Sequence, residues 1–388
     1  MPIQKIQQLM ETSDMDAIVC RLPENVLFLS HYWPVSGFCF VICPKEGEPV
    51  LLAVDLEQEY MIKNRIKDVR YFSWGTLAAG NPYDRVAELL REVTNDYQLS
   101  GKKIGFEGSF ETIAPPLNSG EPGIPAAQTQ KMLKTCFGVT ELFDATDMLY
   151  EARVIKTDEV QQQLKIAHEI AEFGLQVFVD SLAKGKTEAE VSAVIEAEIS
   201  RSGHGYKGVQ HVRAWAQLMT GERTSRACSP FPATTHKTIQ SGDLAVLELA
   251  VVADGYWADL TRTRAVNSAT DAQLKAYQAI LDAHKNVKGM LKAGISESQV
   301  DAAARQIIVD SGFGNQFVHI TGHGLGFKYH EPTPLLHPNS HRKLKQGMVT
   351  SIEPGIYVPG EWGMRVEENV VIQQGEPIYL STFATELL

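Results

Sequence analysis

Two carboxylates, Glu248 and Asp259, stand eleven positions apart in LELAVVADGYWADLTRT, a stretch that otherwise reads as two short β-strands. The Asp254–Gly255 pair between the runs is the strongest short signal for a two-residue hairpin turn. Such a turn pairs Ala253 with Tyr256, Ala250 with Asp259 and Glu248 with Thr261. Side chains on one face of a strand recur every second residue, so the two acids become diagonal neighbours about 7–8 Å apart at the backbone. Two anions held that close repel unless a proton or a cation lies between them. A bulge in the turn would change the parity and leave two acids on a solvated strand face.

Three further segments carry groups of the same chemistry. HITGHGLGFKYHEPT supplies His319, His323 and His330, with glycines that permit close backbone approach. VTSIEPGIY is an apolar strand with Glu353 at its end, stopped by Pro354–Gly355. MRVEENVVI reads as a strand in which Glu367 shares a face with Arg365 and Asn369, while Glu368 shares the other with Val366 and Val370. A carboxylate-rich set with imidazoles suits one or two divalent cations of intermediate hardness: Mn2+ foremost, with Co2+, Zn2+ or Fe2+ as alternatives. A bridged pair of such ions acidifies bound water towards neutrality and polarises a carbonyl, which is the chemistry of amide hydrolysis.

Something must hold these groups together. Before residue 150, short apolar runs (DAIVC, GFCFVIC, PVLLAV, KKIGFEG) read as strands, and Pro82 to Asn95 reads as an amphipathic helix, an α/β pattern. The Pro/Gly-rich passage IAPPLNSGEPGIPAAQ reads as a loop. From Thr157 the texture changes to long helices, beginning with Asp158 to Leu182, which places a domain boundary near residue 155 and two domains at 1–150 and 155–388. The second region repeats itself. GKTEAEVSAVIEAEISRSG, from Gly185, and GISESQVDAAARQIIVDSG, from Gly294, have equal length, a capping box after the glycine and a closing Ser-Gly. Two similar helix-plus-sheet halves about a pseudo-twofold follow, with a cleft between them as a natural ligand site.

Composition narrows the partners. A chain of 388 residues with 44% hydrophobic and 21% charged residues is an ordinary globular composition, too long for one small core. Its net charge of -11, without a basic arm, argues against nucleic acid or an anionic membrane as partner. The N-terminus MPIQKIQQLMETSDMD has no continuous apolar core and reads as neither a signal peptide nor a membrane span. Five cysteines, an odd number without a paired metal motif, suit a reducing compartment, so a cytoplasmic location is expected.

Taken together, the segments resemble the pita-bread metallopeptidases, a family that includes methionine aminopeptidase, aminopeptidase P and prolidase, with creatinase as a metal-free relative. The similarity covers roughly residues 150 to 385. It implies an α+β pita-bread catalytic domain after an α/β domain of the creatinase and prolidase type. It also implies a metal set matching Glu248, Asp259, His323, Glu353 and Glu367. By the same resemblance Glu353 doubles as proton shuttle, His319 and His330 match outer histidines that contact substrate, and Arg365 matches an Arg that precedes the last Glu in aminopeptidase P. The implied activity is hydrolysis of an amide bond in a small peptide or small amide, as an Xaa-Pro aminopeptidase or dipeptidase. A homodimer is implied too, through N-terminal loops like FLSHYWPVSGF (His31, Tyr32, Trp33). This chain departs from the pattern twice. The family's first ligand is an Asp, and here Glu248 stands there. Its metallopeptidases also carry an upstream His in a Pro-His context, where Phe231 falls in this sequence and His236 is out of register. Two alternatives therefore stay open: a metal-free or mononuclear hydrolase of a small guanidino or cyclic amidine compound, with nearby Cys228 as a candidate nucleophile, or a silent binding module.

Overall fold

A computed structural model describes residues 2–35, 38–74, 80–108, 127–229 and 233–388. These divide into two compact units, with the break after Arg153. The first unit runs α1 (Pro2–Ser13), β1 (Ala17–Cys20), α2 (Pro23–Ser30), β2 (Phe40–Pro44), β3 (Val50–Val54), β4 (Asp68–Phe72), α3 (Pro82–Asp96), β5 (Ile104–Phe106), α4 (Ala127–Phe137), β6 (Phe143–Asp144) and α5 (Thr146–Arg153). Its strands form one mixed sheet in the order β4-β3-β2-β1-β5-β6. The four apolar runs become β1, β2, β3 and β5. The run DVRYF gave no strand signal, because β4 is an edge strand with only Phe72 buried, and Arg70 on it serves an ion pair with Asp96 rather than the core. Helix α3 starts where Asn81 accepts from the Tyr83 N–H and Pro82 fills the first turn. His31 ends α2 in a left-handed conformation, and Tyr32 is buried. Most of the Pro/Gly-rich passage lies outside the described residues.

The second unit runs α6 (Asp158–Ser181), α7 (Glu188–Gly203), β7 (Val212–Thr220), β8 (Leu244–Ala253), β9 (Tyr256–Ala265), α8 (Asp271–Met290), α9 (Glu297–Asp310), β10 (Gly322–Gly324), β11 (Glu331–Leu336), β12 (Val349–Ile352), β13 (Gly355–Val358), β14 (Trp362–Arg365), β15 (Glu368–Val371) and β16 (Ile378–Tyr379). Strands β7-β8-β9 form one antiparallel sheet, β11-β10-β12-β15-β16 a second, and β13-β14 a hairpin. Ile170, Leu175, Ile195 and Ile199 of α6 and α7 pack on Leu247, Leu249 and Leu260 of the first sheet. Ile280, Val287, Val300 and Ile308 of α8 and α9 pack on Ile352, Met364 and Val370.

The repeat is visible bond by bond. Thr187 and Ser296 each close a capping box at the start of α7 and α9, and each bridges a later segment, at Thr238 and Lys343. The Gly185 N–H donates to the Ile239 carbonyl as the Gly294 N–H does to that of Leu344, and Glu188 to Lys237 as Glu297 to Arg342. Gly242 and Gly347 then both turn with positive φ, at 88° and 83°. Six residues beyond Gly242 stands Glu248, and six beyond Gly347 stands Glu353. The two halves thus deliver one acid each at equivalent positions, Glu248 within β8 and Glu353 just past the end of β12.

Candidate metal centre

The β8–β9 hairpin takes the register that its turn chemistry dictates. Asp254 and Gly255 both have positive φ, at 46° and 85°, as a type I′ turn requires. Ala250 then pairs with Asp259 and Glu248 with Thr261, which puts both acids on one buried face. His323 comes from β10, between β11 and β12. Glu353 follows β12 directly. Glu367 sits in a break between β14 and β15, where one continuous strand was expected from the sequence. The strand breaks because the Glu367 N–H turns to the Thr261 carbonyl of β9, at 3.1 Å. The alternation of faces survives the break: Glu368 faces away from the centre and its carboxylate accepts from Arg262 at 2.6 Å.

Local bonds aim each donor. The His323 Nδ1–H donates to the Gly324 carbonyl at 2.9 Å, which leaves the Nε2 lone pair pointing at Asp259 Oδ2 (3.5 Å) and Glu353 Oε1 (3.4 Å). That is the tautomer a metal-ligating imidazole needs. Ser351 donates to Glu353 Oε1 and accepts from the His323 N–H, both at 3.0 Å. Thr261 donates to Glu367 Oε2 at 2.8 Å. Asp259 Oδ2 and Glu367 Oε1, both buried, have no hydrogen-bond partner. Ligating atoms of Asp259, His323 and His330, of His323, Glu353 and Glu367, and of Glu248, Asp259 and Glu367 lie within 4.8 Å of one another in three overlapping groups.

The electrostatics suit a cation. Burial pushes the Asp259 carboxyl up to about 7. Burial, and then the neighbouring Asp259, pushes Glu367 up to about 8. Glu353 is raised well above the carboxylate range by burial and by both of those acids. Burial holds the His323 ring below its ordinary value, hence neutral and able to ligate. Orphaned carboxylate oxygens beside a neutral imidazole nitrogen, among acids that repel, form a donor set a divalent cation satisfies.

Two tyrosines belong to this centre that the sequence reading passed over. The Tyr329 hydroxyl is hydrogen-bonded to Glu248 Oε1 (2.7 Å) and Asp259 Oδ1 (3.0 Å), and its ring lies against Trp257 and His330. The Tyr357 hydroxyl accepts from Arg365 at 2.9 Å and donates to His319 Nε2 at 3.0 Å. His319 donates its other nitrogen to the Ile320 carbonyl, so both its ring nitrogens have protein partners. The His330 ring lies tilted against that of His323, centre to centre 4.1 Å, and is partly exposed. Arg365 pairs with Glu248 Oε2. Tyr329 lies inside the GHGLGFKYHE run, so its closeness to the histidines was the available signal. Cys228 is half-buried beside the Tyr357 cluster and makes no disulfide. Phe231 lies outside the described residues.

A duplicated α+β unit with an acid-and-imidazole centre defines a metallohydrolase class, and the comparisons agree. Residues 162–374 match the model of metallopeptidase family M24, and residues 2–155 match the creatinase/prolidase N-terminal domain. The chain belongs to the M24 metallopeptidases. It is 27% identical over 387 residues to an Xaa-Pro dipeptidase of Pyrococcus furiosus, covering all of this chain and 99% of that one. It is equally identical to an Xaa-Pro dipeptidase of Lactobacillus delbrueckii subsp. lactis, over 95% of this chain and 93% of that one. The solved prolidase of Pyrococcus horikoshii superposes with a TM-score of 0.80 at 26% identity, over 100% and 99% of the two chains. The fold and the metallopeptidase class expected from the sequence are those found.

Proposed function

We propose that the chain is an Xaa-Pro dipeptidase: a metal-dependent hydrolase that cuts the amide bond before proline in a short peptide. The supporting observation is the pair of orphaned oxygens, Asp259 Oδ2 and Glu367 Oε1, in a buried set with the His323 lone pair. Asp259, His323, Glu353 and Glu367 would hold a divalent cation, with Glu248 in the adjoining three-carboxylate group. When bound, such an ion polarises the amide carbonyl and acidifies water. Glu353 is the least buried of the four acids, so it would carry protons between water and the leaving amine. His330, at the rim beside His323, orients the substrate. His319 acts through Tyr357, which it shares with Arg365. The oxygen-rich set favours Mn2+. We further propose a cytoplasmic homodimer. All five cysteines are free and no described helix is long and apolar enough to cross a membrane; light scattering tests the dimer.

The direct test is an assay of Xaa-Pro dipeptides, longer Xaa-Pro peptides and small amides with Mn2+ and with chelator. Dipeptides should be cleaved and chelation should abolish turnover. Phe231, where a hydrogen-bonding His is expected, should hold the rate down by about 10²–10³. Asp259→Ala and Glu367→Ala should each release the ion. Full activity in chelator would instead favour a metal-free C–N hydrolase.

A further inference from the structure

The two sides of the donor set, the groups that contain His323 and the one that contains Glu248, are unequal. On the His323 side, the atoms free to ligate are Asp259 Oδ2, Glu367 Oε1 and the His323 Nε2 lone pair. On the Glu248 side, both carboxylate oxygens are already engaged. Tyr329 bonds Oε1 and also reaches Asp259 Oδ1, while Arg365 pairs with Oε2, which Thr261 also approaches at 3.4 Å. These partners are not loose surface groups. Tyr329 and Arg365 are both buried. The Arg365 guanidinium is fixed further by the Ala227 carbonyl at 2.5 Å and the Tyr357 hydroxyl. The Tyr329 ring is held by Trp257, itself stacked on Trp215 at 5.6 Å.

Resting on the metal-centre reading, we infer that Tyr329 and Arg365 occupy the second cation position from within the protein, so that the chain holds a single tightly bound ion on the His323 side and Glu248 is not one of its ligands. The charge balance follows. A guanidinium brings half the charge that a second divalent ion would bring, and the phenol bridges Glu248 and Asp259. The extra methylene of Glu248 lets its carboxylate reach both partners at once. For a second ion to enter, Arg365 must leave Glu248; its other carboxylate neighbour, Glu353 Oε2, stands off at 3.8 Å, and a buried charge that loses its close partner is strongly penalised.

Titration of the demetallated full-length chain with Mn2+, read by calorimetry and by elemental analysis after desalting, tests this without reference to activity. Wild type should retain about one ion per chain, with any second site weaker by at least about tenfold. Glu248→Gln should keep that ion with less than about a threefold loss of affinity. Tyr329→Phe preserves the ring and frees Glu248 Oε1 and Asp259 Oδ1, so it should strengthen the second site about tenfold or more. Circular dichroism confirms that each variant is folded. Two ions of equal tightness in wild type, loss of the retained ion in Glu248→Gln, or an unchanged second site in Tyr329→Phe would each overturn the inference. A chain that binds no Mn2+ at all would instead remove the metal-centre reading beneath it.

Discussion

Asp259 and Glu367 are acids that burial makes reluctant to ionise, with folded values near 7 and 8 against unfolded values of about 3.9 and about 4.3. Without a cation, the native chain therefore holds protons that the unfolded chain has released. The sign is fixed: stability is fullest below the unfolded values and is lost as pH rises through 7 to 8. In chelator, the unfolding midpoint should fall between pH 6 and pH 8.5. With excess Mn2+ the fall should flatten, because the ion takes the protons' place. A chelated chain as stable at pH 8.5 as at pH 6 would mean that these acids are neutralised by another route. The acids and His323 were readable because each sits in a run whose composition marks it. Tyr357 was not, because an aromatic in an apolar stretch is ordinarily core, and Tyr329 had only its closeness to the histidines to mark it. Only the hydroxyl positions, fixed by distant strands, reveal otherwise.

At the scale of the element, β10 shows how little material positions a ligand. It is three residues long, and its outer glycines leave no room for a side chain. A Cβ on Gly324 would lie 2.2 Å from the Thr333 carbonyl oxygen of β11, and one on Gly322 would lie 2.0 Å from that of Ser351 on β12. His323 is held by strands on both sides that press against bare backbone. Gly324→Ala should cost about 1–3 kcal/mol by overpacking and weaken Mn2+ binding as His323 shifts. Urea unfolding and metal titration of that variant check both. The Asp-Gly turn, the capping boxes and the amphipathic helices were legible because their signals are local. The break before Glu367 was not, because its cause is a backbone bond to Thr261, over a hundred residues earlier in the chain.

At the scale of the whole second unit, one buried ion pair ties the segment entering α6 to the loop bearing Tyr329 and His330. The Lys156 ammonium pairs with Glu331 Oε2, Glu331 Oε1 accepts from the Phe327 N–H, and the Lys156 N–H donates to the Gly347 carbonyl. Lys156→Met should cost about 3–5 kcal/mol by stranding Glu331, and adding Glu331→Gln should recover much of it. Thermal unfolding of the single and double variants measures the difference. The pairing of halves was legible from the matched glycines and caps, whereas the equivalence of Glu248 and Glu353 needed the turns at Gly242 and Gly347 to set the count. That equivalence has a further meaning. If two identical half-chains met across a true twofold axis, any change to one acid would be imposed on its mate. Joined in one polypeptide, the acids are free to part company: one is clasped by an arginine and a phenol, while the other keeps that arginine at 3.8 Å and stands beside His323.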